Sequence, residues 1–378
     1  MGIDKSNDTQ CFTLSGMDAA IIQSVDVLRK DKHMLLRVRS VDGVEGFAYC
    51  NARLAYLLPI LQELITPYFV GKDARLLNTL IHDAYRGGSN YKLAGLAFWN
   101  CIGHLESALL DLLGKVANQP VGALLGEIIR TEVPVYMSSL RRDTTAEEEI
   151  GWLAPRVAEV GATAVKFKIG GRMNHNKDAH PGRTEAIIPL ARRTFGDEVA
   201  IYVDANGSYD AEYAIEVGHF LEDYAIDLYE EPCPFTDFFD TKRVADALDM
   251  PVSGGEQDTN MHLFEWMITA RGVDVIQPDI YYCGGILRCL QVAQMAAAVN
   301  MPVMPHCPKN SPECAAVFHF ASIVPNLGPY QEYRAVADPP NTWYTPDFAV
   351  VDGQVRVPTG PGLGVAYDRD FVTSMTIL

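Results

Sequence analysis

The sequence contains no apolar run long enough to span a membrane, and its first ten residues, MGIDKSNDTQ, lack the basic and then apolar pattern of a secretory signal peptide. Its eight cysteines are scattered, without a Cys-x-x-Cys pair. This usage is typical of reduced thiols rather than of a disulfide framework. The sequence therefore predicts a cytoplasmic protein.

Basic residues are also scarce, with 31 Lys and Arg against 48 Asp and Glu, for a net charge of −17 at pH 7. Because nucleic-acid binding needs clustered Lys and Arg, this balance argues against a nucleic-acid partner. It is compatible with a small acidic substrate, since a metal ion and a few local cations can dominate inside a pocket.

A regular alternation of strands and helices begins at Val133. The apolar segments that predict strands are VPVYMSS, AVKFKIG, IYVDAN, DLYEEP, PVSGG, VDVIQPD, MPVMPHC and PYQEYR, with amphipathic helices between them. Eight alternating units favour a closed (β/α)8 barrel over an open sheet. We expect this α/β barrel to occupy residues 131–335.

The flanking regions have other patterns. Residues 1–130 contain strands joined by a turn at Val41-Asp42-Gly43 and then helices, the clearest over 93–116, which predicts an α+β domain. Residues 336–378 return to short strands and turns, and we expect them to fold back onto that domain. The polar segment 171–184 reads as an inserted loop on the active face of the barrel.

Three predicted strands end in a carboxylate: Asp204, Glu230 and Glu256. Consecutive barrel strands are neighbours whose C-terminal ends open onto one face, so the three acids should converge. Their mutual repulsion in a partly desolvated site is relieved by a hard divalent cation. The sequence therefore predicts a Mg²⁺ site.

The second predicted barrel strand ends in Lys166-Phe167-Lys168. Alternation along a strand puts both lysines on one face, which we expect to point into the barrel mouth. Two lysines close together beside a metal should each have a lowered pKa, which suits a general base near neutral pH. The alternative is that they are surface lysines at a strand edge.

Three further polar residues end the last predicted strands. Asp279 and His306 end neighbouring strands, and a carboxylate that accepts a hydrogen bond from one imidazole nitrogen raises the pKa of the histidine and leaves the other nitrogen for proton transfer. Glu332 ends the eighth strand, where it either polarises a substrate oxygen or has a structural role.

Together these residues suit abstraction of the proton next to a carboxylate, with the metal stabilising the resulting enediolate. If the second group returns a proton to the opposite face, the outcome is racemisation or epimerisation. If it helps a β-hydroxyl to leave, the outcome is dehydration.

The ordered set of motifs resembles the enolase superfamily, mandelate racemase subgroup, over nearly the whole chain. The matching residues are Lys166-x-Lys168, Asp204-Ala205-Asn206, Glu230-Glu231-Pro232, Gly255-Glu256, Pro278-Asp279 and His306. The resemblance implies a modified TIM barrel with Mg²⁺ on Asp204, Glu230 and Glu256. It also implies that Lys168 is one acid/base, that His306 oriented by Asp279 is the other, and that the N-terminal domain caps the barrel. The first loop of that cap, within 11–23, is hard to align with the family.

The first hypothesis is a sugar-acid dehydratase, a lyase that converts an aldonate or aldarate to a 2-keto-3-deoxy acid. The alternative is an isomerase, a racemase or epimerase of a 2-hydroxy acid with the same bases. Muconate-type cycloisomerisation is disfavoured, because in those relatives a lysine stands where this chain has Asp279. A non-catalytic ligand-binding relative is disfavoured because every metal ligand and base is present.

The expected partner is a small-molecule carboxylate, and a homo-oligomer is expected from the general prevalence of symmetric assemblies. Several polar residues are candidates for reading the substrate: Asn51, Arg53, Ser138, Arg141, His175, His180, Arg183 and Lys309.

Overall fold

The computed structural model describes residues 18–336 and 342–378. The first domain opens with three antiparallel strands, β1 (Ile22–Lys30), β2 (His33–Ser40) and β3 (Glu45–Tyr49). The turn predicted at Val41-Asp42-Gly43 joins β2 to β3, and Gly43 supplies its positive φ of 85°.

Helices follow this sheet. They are α1 (Leu54–Pro59), α2 (Leu77–Arg86), α3 (Leu96–Val116) and α4 (Val121–Leu125), with a π-helical turn at Ile60–Ile65 and short 3₁₀ segments at Thr66–Tyr68, Ala74–Leu76 and Gly87–Leu93. Helix α3 is buried on nearly all sides because the first sheet and the barrel both pack against it. A Cβ at Gly103 would lie 2.5 Å from the carbonyl oxygen of Tyr281, so glycine permits the close approach of α3 to the barrel.

The second domain is a barrel of parallel strands. These are β4 (Glu132–Ser138), β5 (Ala164–Lys168), β6 (Ala200–Asp204), β7 (Leu228–Glu230), β8 (Val252–Gly254), β9 (Val275–Ile276) and β10 (Gln331–Arg334). They pair in chain order from β4 to β9, and β10 pairs with β4. The outer helices are α5 (Ala146–Glu159), α6 (Arg183–Phe195), α7 (Ala211–Asp223), α8 (Phe238–Ala247), α9 (Met261–Thr269), α10 (Ile286–Ala297) and α11 (Cys314–Ile323).

The predicted seventh barrel strand differs from the prediction. The segment 301–307 makes only isolated parallel bridges, from Val303 to Ile276 and Leu327 and from His306 to Asp279. Pro302 and Pro305 lie within this segment and have no amide hydrogen to donate, so a continuous ladder cannot form. The bridges nevertheless bring the segment between β9 and β10 and close the ring.

The C-terminal segment adds β11 (Tyr344–Thr345), β12 (Val350–Val351), β13 (Gln354–Arg356), β14 (Ala366–Tyr367), α12 (Arg369–Thr373) and β15 (Thr376–Ile377). Strand β13 pairs with the start of β4, whereas β15 pairs with β1 and completes the first sheet. The segment therefore contacts both the barrel and the first domain. Within the described residues, no helix is both long and apolar enough to cross a membrane.

Candidate active site

The interior of the barrel changes from apolar to polar along its strands. A buried apolar layer is formed by Tyr136, Ala164, Tyr202, Leu228, Val275 and Met304. Two residues further along each segment stand Ser138, Lys166, Asp204, Glu230, Gln277 and His306. Because alternate residues of a strand face the same side, these polar side chains point into the barrel at its C-terminal end.

The three predicted metal ligands lie together. Asp204, Glu230 and Glu256 are buried, and one carboxylate oxygen of each lies within 4.8 Å of the others. Asp204 and Glu230 are paired in register on β6 and β7, and Glu256 follows β8 after Gly255, which has a positive φ of 114°. Burial raises the pKa of Glu230 to about 7, even though Lys166 opposes this. Burial also opposes the charge of Asp204, but Lys168 and Lys166 outweigh it and lower the pKa of Asp204 below its ordinary value.

The chemistry of the cluster fits a divalent cation. Three carboxylates are a hard oxygen donor set, which suits Mg²⁺. Glu256 Oε1 accepts from Gln257 Nε2 at 2.7 Å, and Glu256 Oε2 is buried with the His306 imidazole, 3.1 Å away, as its neighbour. The three carboxylates lie so close together that they repel one another, and a cation bound between them would relieve this repulsion.

The two lysines of β5 are buried and have different partners. Lys166 Nζ lies 2.8 and 2.7 Å from the two carboxylate oxygens of Glu230 and 2.9 Å from Glu332 Oε1. Lys168 Nζ donates to Asp204 Oδ2. The expected lowering of the pKa of Lys166 is wrong: burial favours the neutral amine, but Glu230 and Glu332 outweigh it and raise the pKa well above its ordinary value. Lys166 is therefore a fixed positive charge.

Glu332 is an acceptor on both of its oxygens. It accepts from Ser138 Oγ at 2.8 Å and from the backbone amide of Cys307 at 2.9 Å, besides its contact with Lys166. Burial alone would raise its pKa, but Lys166 and His306 lower the pKa of Glu332 to about 2. This arrangement suits a structural carboxylate that fixes Lys166 better than a group that donates a proton.

His306 and Asp279 form a hydrogen-bonded pair, with Nδ1 of the imidazole 2.8 Å from Asp279 Oδ2. The other oxygen of Asp279 accepts from the backbone amides of Tyr281 and Tyr282, which fixes the carboxylate. Nε2 of His306 lies 3.1 Å from Glu256 Oε2. Burial favours the neutral imidazole, but Glu256, Asp279 and Glu332 together raise the pKa of His306 to about 10.

Lys168 and His306 consequently stand at opposite ends of the row of carboxylates. Lys168 contacts Asp204, the first acid of the row, and His306 approaches Glu256, the last. We call the residues at these strand ends the barrel floor: Lys166, Lys168, Asp204, Glu230, Glu256, Asp279, His306 and Glu332. The floor can hold a cation between two groups that are able to transfer protons.

A cavity of about 290 Å³ opens above the floor. We call the residues that enclose it from the loops and the first domain the cavity wall: Asn51, Arg53, Arg142, Arg172 and Tyr282. The first domain thus contributes Asn51 and Arg53, and the 171–184 loop contributes Arg172. Lys309 and Arg334 also line the cavity.

Several candidate substrate readers lie elsewhere. Ser138 is buried against Glu332, and the guanidinium of Arg141 lies over the Trp152 ring at 5.1 Å. Arg183 is buried and donates to the Thr144 and Thr145 carbonyls, so it holds the loop after β4. His175 is exposed and His180 is half-buried, and neither lines the cavity.

Sequence reasoning missed Arg142, which donates to Asn206 Oδ1 and, at 3.1 Å, to the Ile169 carbonyl. Asn206 in turn donates to Asp204 Oδ2 at 3.1 Å, so Arg142 is connected to the first metal ligand. Its position just after a barrel strand could have indicated a place at the cavity, but Arg141 has the same position. Nothing in the sequence distinguishes the two neighbours.

A closed barrel whose strand ends carry three carboxylates, a lysine and a His–Asp pair defines the enolase type of metal-assisted enzyme. Residues 151–371 match the family model "Enolase C-terminal domain-like", and residues 13–126 match "Mandelate racemase / muconate lactonizing enzyme, N-terminal domain". The chain belongs to the enolase superfamily, in its mandelate racemase subgroup. The family and the barrel fold expected from the sequence are confirmed, and the protein is an enzyme.

Relatives cover nearly the whole chain. It is 29 % identical to a D-galactonate dehydratase of Ralstonia nicotianae over 350 residues, 90 % of each chain. It is 27 % identical to a D-galactarolactone cycloisomerase of Agrobacterium fabrum over 360 residues, again 90 % of each chain. A solved mandelate racemase/muconate lactonizing protein of Paracoccus denitrificans, complexed with magnesium, superposes with a TM-score of 0.87 at 27 % identity, covering 95 % of this chain and 99 % of that chain.

Proposed function

We propose that the protein is a Mg²⁺-dependent dehydratase that converts a sugar acid, an aldonate or aldarate, to a 2-keto-3-deoxy acid. The observation that carries the proposal is the placement of Lys168 and His306 at opposite ends of the buried carboxylate row. A dehydration needs one group to accept the α-proton and another to protonate the departing β-hydroxyl.

Asp204, Glu230 and Glu256 would hold Mg²⁺. When bound, the ion supplies positive charge that stabilises the substrate carboxylate as its α-proton is lost. Lys166 keeps its own charge between Glu230 and Glu332 and fixes the position of Glu230. This support is expected to keep the ligand set in place whether or not substrate is bound.

Lys168 is the proposed base, acting as the neutral amine. Its contact with Asp204 holds Nζ at the edge of the cavity, where the amine can accept the α-proton. The C–H bond breaks and its electron pair stays on the substrate.

His306 is the proposed acid. Its Nδ1 is held by Asp279, so Nε2, which lies 3.1 Å from Glu256 Oε2 at the cavity, is the nitrogen that would donate a proton to the substrate. The electron pair left by the α-proton forms the new carbon–carbon double bond, the β-carbon–oxygen bond breaks, and the hydroxyl leaves as water with the proton of His306. The resulting enol tautomerises to the 2-keto acid.

The Ralstonia relative supports dehydration of a sugar acid. The same opposed pair also suits racemisation or epimerisation of a 2-hydroxy acid, with His306 returning a proton to the face opposite Lys168. This remains the second candidate. We also propose a cytoplasmic location, which the seven free cysteines among the described residues support.

A screen of sugar acids with Mg²⁺ in D₂O tests the proposal, read for 2-keto product and for deuterium at the α-carbon. A 2-keto-3-deoxy product supports the dehydratase. Exchange or inversion without keto product favours the racemase or epimerase. Ligand binding with neither signal would contradict both and favour a binding protein.

A further inference from the structure

The residues that line the cavity above the metal-ligand cluster are more often basic than acidic, which is the reverse of the whole chain. The whole sequence has 31 Lys and Arg against 48 Asp and Glu. The cavity lining has six cationic residues, Arg53, Arg142, Lys168, Arg172, Lys309 and Arg334, against three acidic ones, Glu256, Asp279 and Glu313. Basic lining residues thus outnumber acidic ones in a chain in which acids predominate, which favours an anionic ligand.

Two of the six basic lining residues form ion pairs with carboxylates, and the other four do not. Lys168 pairs with Asp204, and Lys309 lies 3.7 Å from Glu313. Asp279 is engaged with His306, and Glu256 belongs to the metal-ligand cluster. The four arginines of the lining, Arg53, Arg142, Arg172 and Arg334, form no ion pair with a carboxylate of the described residues.

Arg142 and Arg53 lie on different sides of the cavity. Arg142 is tied to the metal-ligand end through Asn206. Arg53 comes from the first domain, and its guanidinium lies 5.1 Å from the centre of the Tyr282 ring. Tyr282 itself is beside the His306 ring, at 6.3 Å between centroids. Arg53 therefore lies on the His306 side of the cavity, where it can bind a second anionic group of the ligand.

The guanidinium of Arg53 is fixed in a way that leaves one edge for a ligand. Nη1 donates to Tyr282 Oη, and the backbone amide of Arg53 donates to Asn51 Oδ1 at 3.1 Å. Nε and Nη2 have no hydrogen-bond partner within 18–336 and 342–378. These two atoms are the side-on fork that binds a carboxylate in a bidentate manner.

We propose that the substrate is a dicarboxylate, an aldarate, and that Arg53 is the specificity-determining residue that binds its distal carboxylate. This inference rests on the proposed dehydratase function. An aldonate ends instead in a neutral hydroxymethyl group, which gives the guanidinium weaker partners. The cavity of about 290 Å³ is at the small end of ligand sites and suits a short sugar diacid.

The first experiment compares aldarates and aldonates of matched stereochemistry with the Mg²⁺-loaded protein. We expect a higher kcat/KM for the aldarate. Arg53→Gln should lower kcat/KM for the aldarate about 10- to 100-fold, mainly through KM, with a much smaller effect on the aldonate. Arg53→Lys should retain part of the activity because it keeps the charge but not the fork. Arg29→Gln, at an exposed position of β1, is the matched control and should leave kcat/KM unchanged for both substrates.

A second measurement separates this inference from the proposed function. Calorimetric binding of both acids to the Lys168→Ala variant with Mg²⁺, with and without Arg53→Gln, reports recognition without turnover. Tighter aldarate binding that is lost with Arg53→Gln supports the inference, even if no sugar acid is dehydrated and the proposed function fails. Equal binding of the two acids, or an equal loss for both in Arg53→Gln, would overturn it while leaving a dehydratase possible.

Discussion

The barrel floor and the cavity wall obtain their side chains from different kinds of structure. Most floor residues end or follow a barrel strand and are buried, with Asp204 at 0 % and Glu256 at 4 % exposure, whereas His306 is half-buried in a segment held by isolated bridges. Wall residues come from loops and from the first domain, and Arg53 and Arg172 are exposed. Paired strands hold a side chain more rigidly than a loop does. This difference agrees with our proposals that the floor performs the reaction and that the wall selects the substrate.

The largest loss of activity is expected when the cation or one of its proposed ligands is removed from the floor. Chelation of divalent cations, or Glu256→Gln, should reduce activity on every substrate to background, because the carboxylate row then lacks its cation or one of its ligands. Added Mg²⁺ should restore the chelated wild type but not the variant. Glu212→Gln, an exposed site, is the control. Full activity after chelation would contradict the metal assignment.

Removing the proposed base, Lys168, should have the next largest effect on activity. Lys168→Ala is expected to lower both α-proton exchange and dehydration about 100- to 10,000-fold, the range for loss of a general base, while the ligand still binds. Exchange followed by NMR in D₂O, together with calorimetry, measures both quantities. Lys242→Ala, on the outer helix α8, should behave as wild type. Unchanged exchange in Lys168→Ala would show that another group is the base.

Two adjacent arginines test the wall. Arg142→Gln should lower kcat/KM about 10-fold or more on sugar acids, because it removes a charged donor from the cavity and from Asn206. Arg141→Gln should leave kcat/KM nearly unchanged, because its side chain lies over Trp152. Equal effects in the two variants would mean that Arg142 acts through general stability, which thermal unfolding of both variants would reveal.

The smallest effect is expected for His104, which lies behind the wall residue Asn51. We expect it to change the free energy of unfolding rather than the activity. His104 on α3 is buried, stacks on Tyr281 at 4.4 Å between ring centroids, and faces the Asn51 amide through Nε2. Burial lowers the pKa of His104 to about 3. Below the ordinary histidine pKa of about 6.5, the unfolded chain is protonated at this residue and the folded chain is not. The free energy of unfolding should therefore fall as the pH drops from about 6.5 toward 3.

Urea unfolding at several pH values measures this loss, which cannot exceed about 1.4 kcal/mol per pH unit for one histidine. His319 has its pKa lowered to about 4 by burial and should contribute similarly. His104→Gln should reduce the slope, whereas His262→Gln, an exposed site, should not. An unchanged slope in His104→Gln would show that His104 does not contribute.

The sequence determined the positions of the floor residues because strand geometry is periodic. Lys166 and Lys168 share a face since they are two residues apart, and parallel strands bring Asp204, Glu230 and Glu256 to one edge. Only the tertiary structure decided that Lys166 keeps its proton, because its pKa depends on Glu230 and Glu332 from distant parts of the chain.

The wall was decided almost entirely by the tertiary structure. Loop side chains follow no fixed period, so the sequence could not show that Arg142 lines the cavity while Arg141 turns away to Trp152. The orientation of Arg53 depends on Tyr282, which is 229 residues away in the chain. The periodic geometry of strands thus allowed the floor residues to be predicted from the sequence. The wall residues could not be predicted, because their positions depend on contacts that form only in the folded chain.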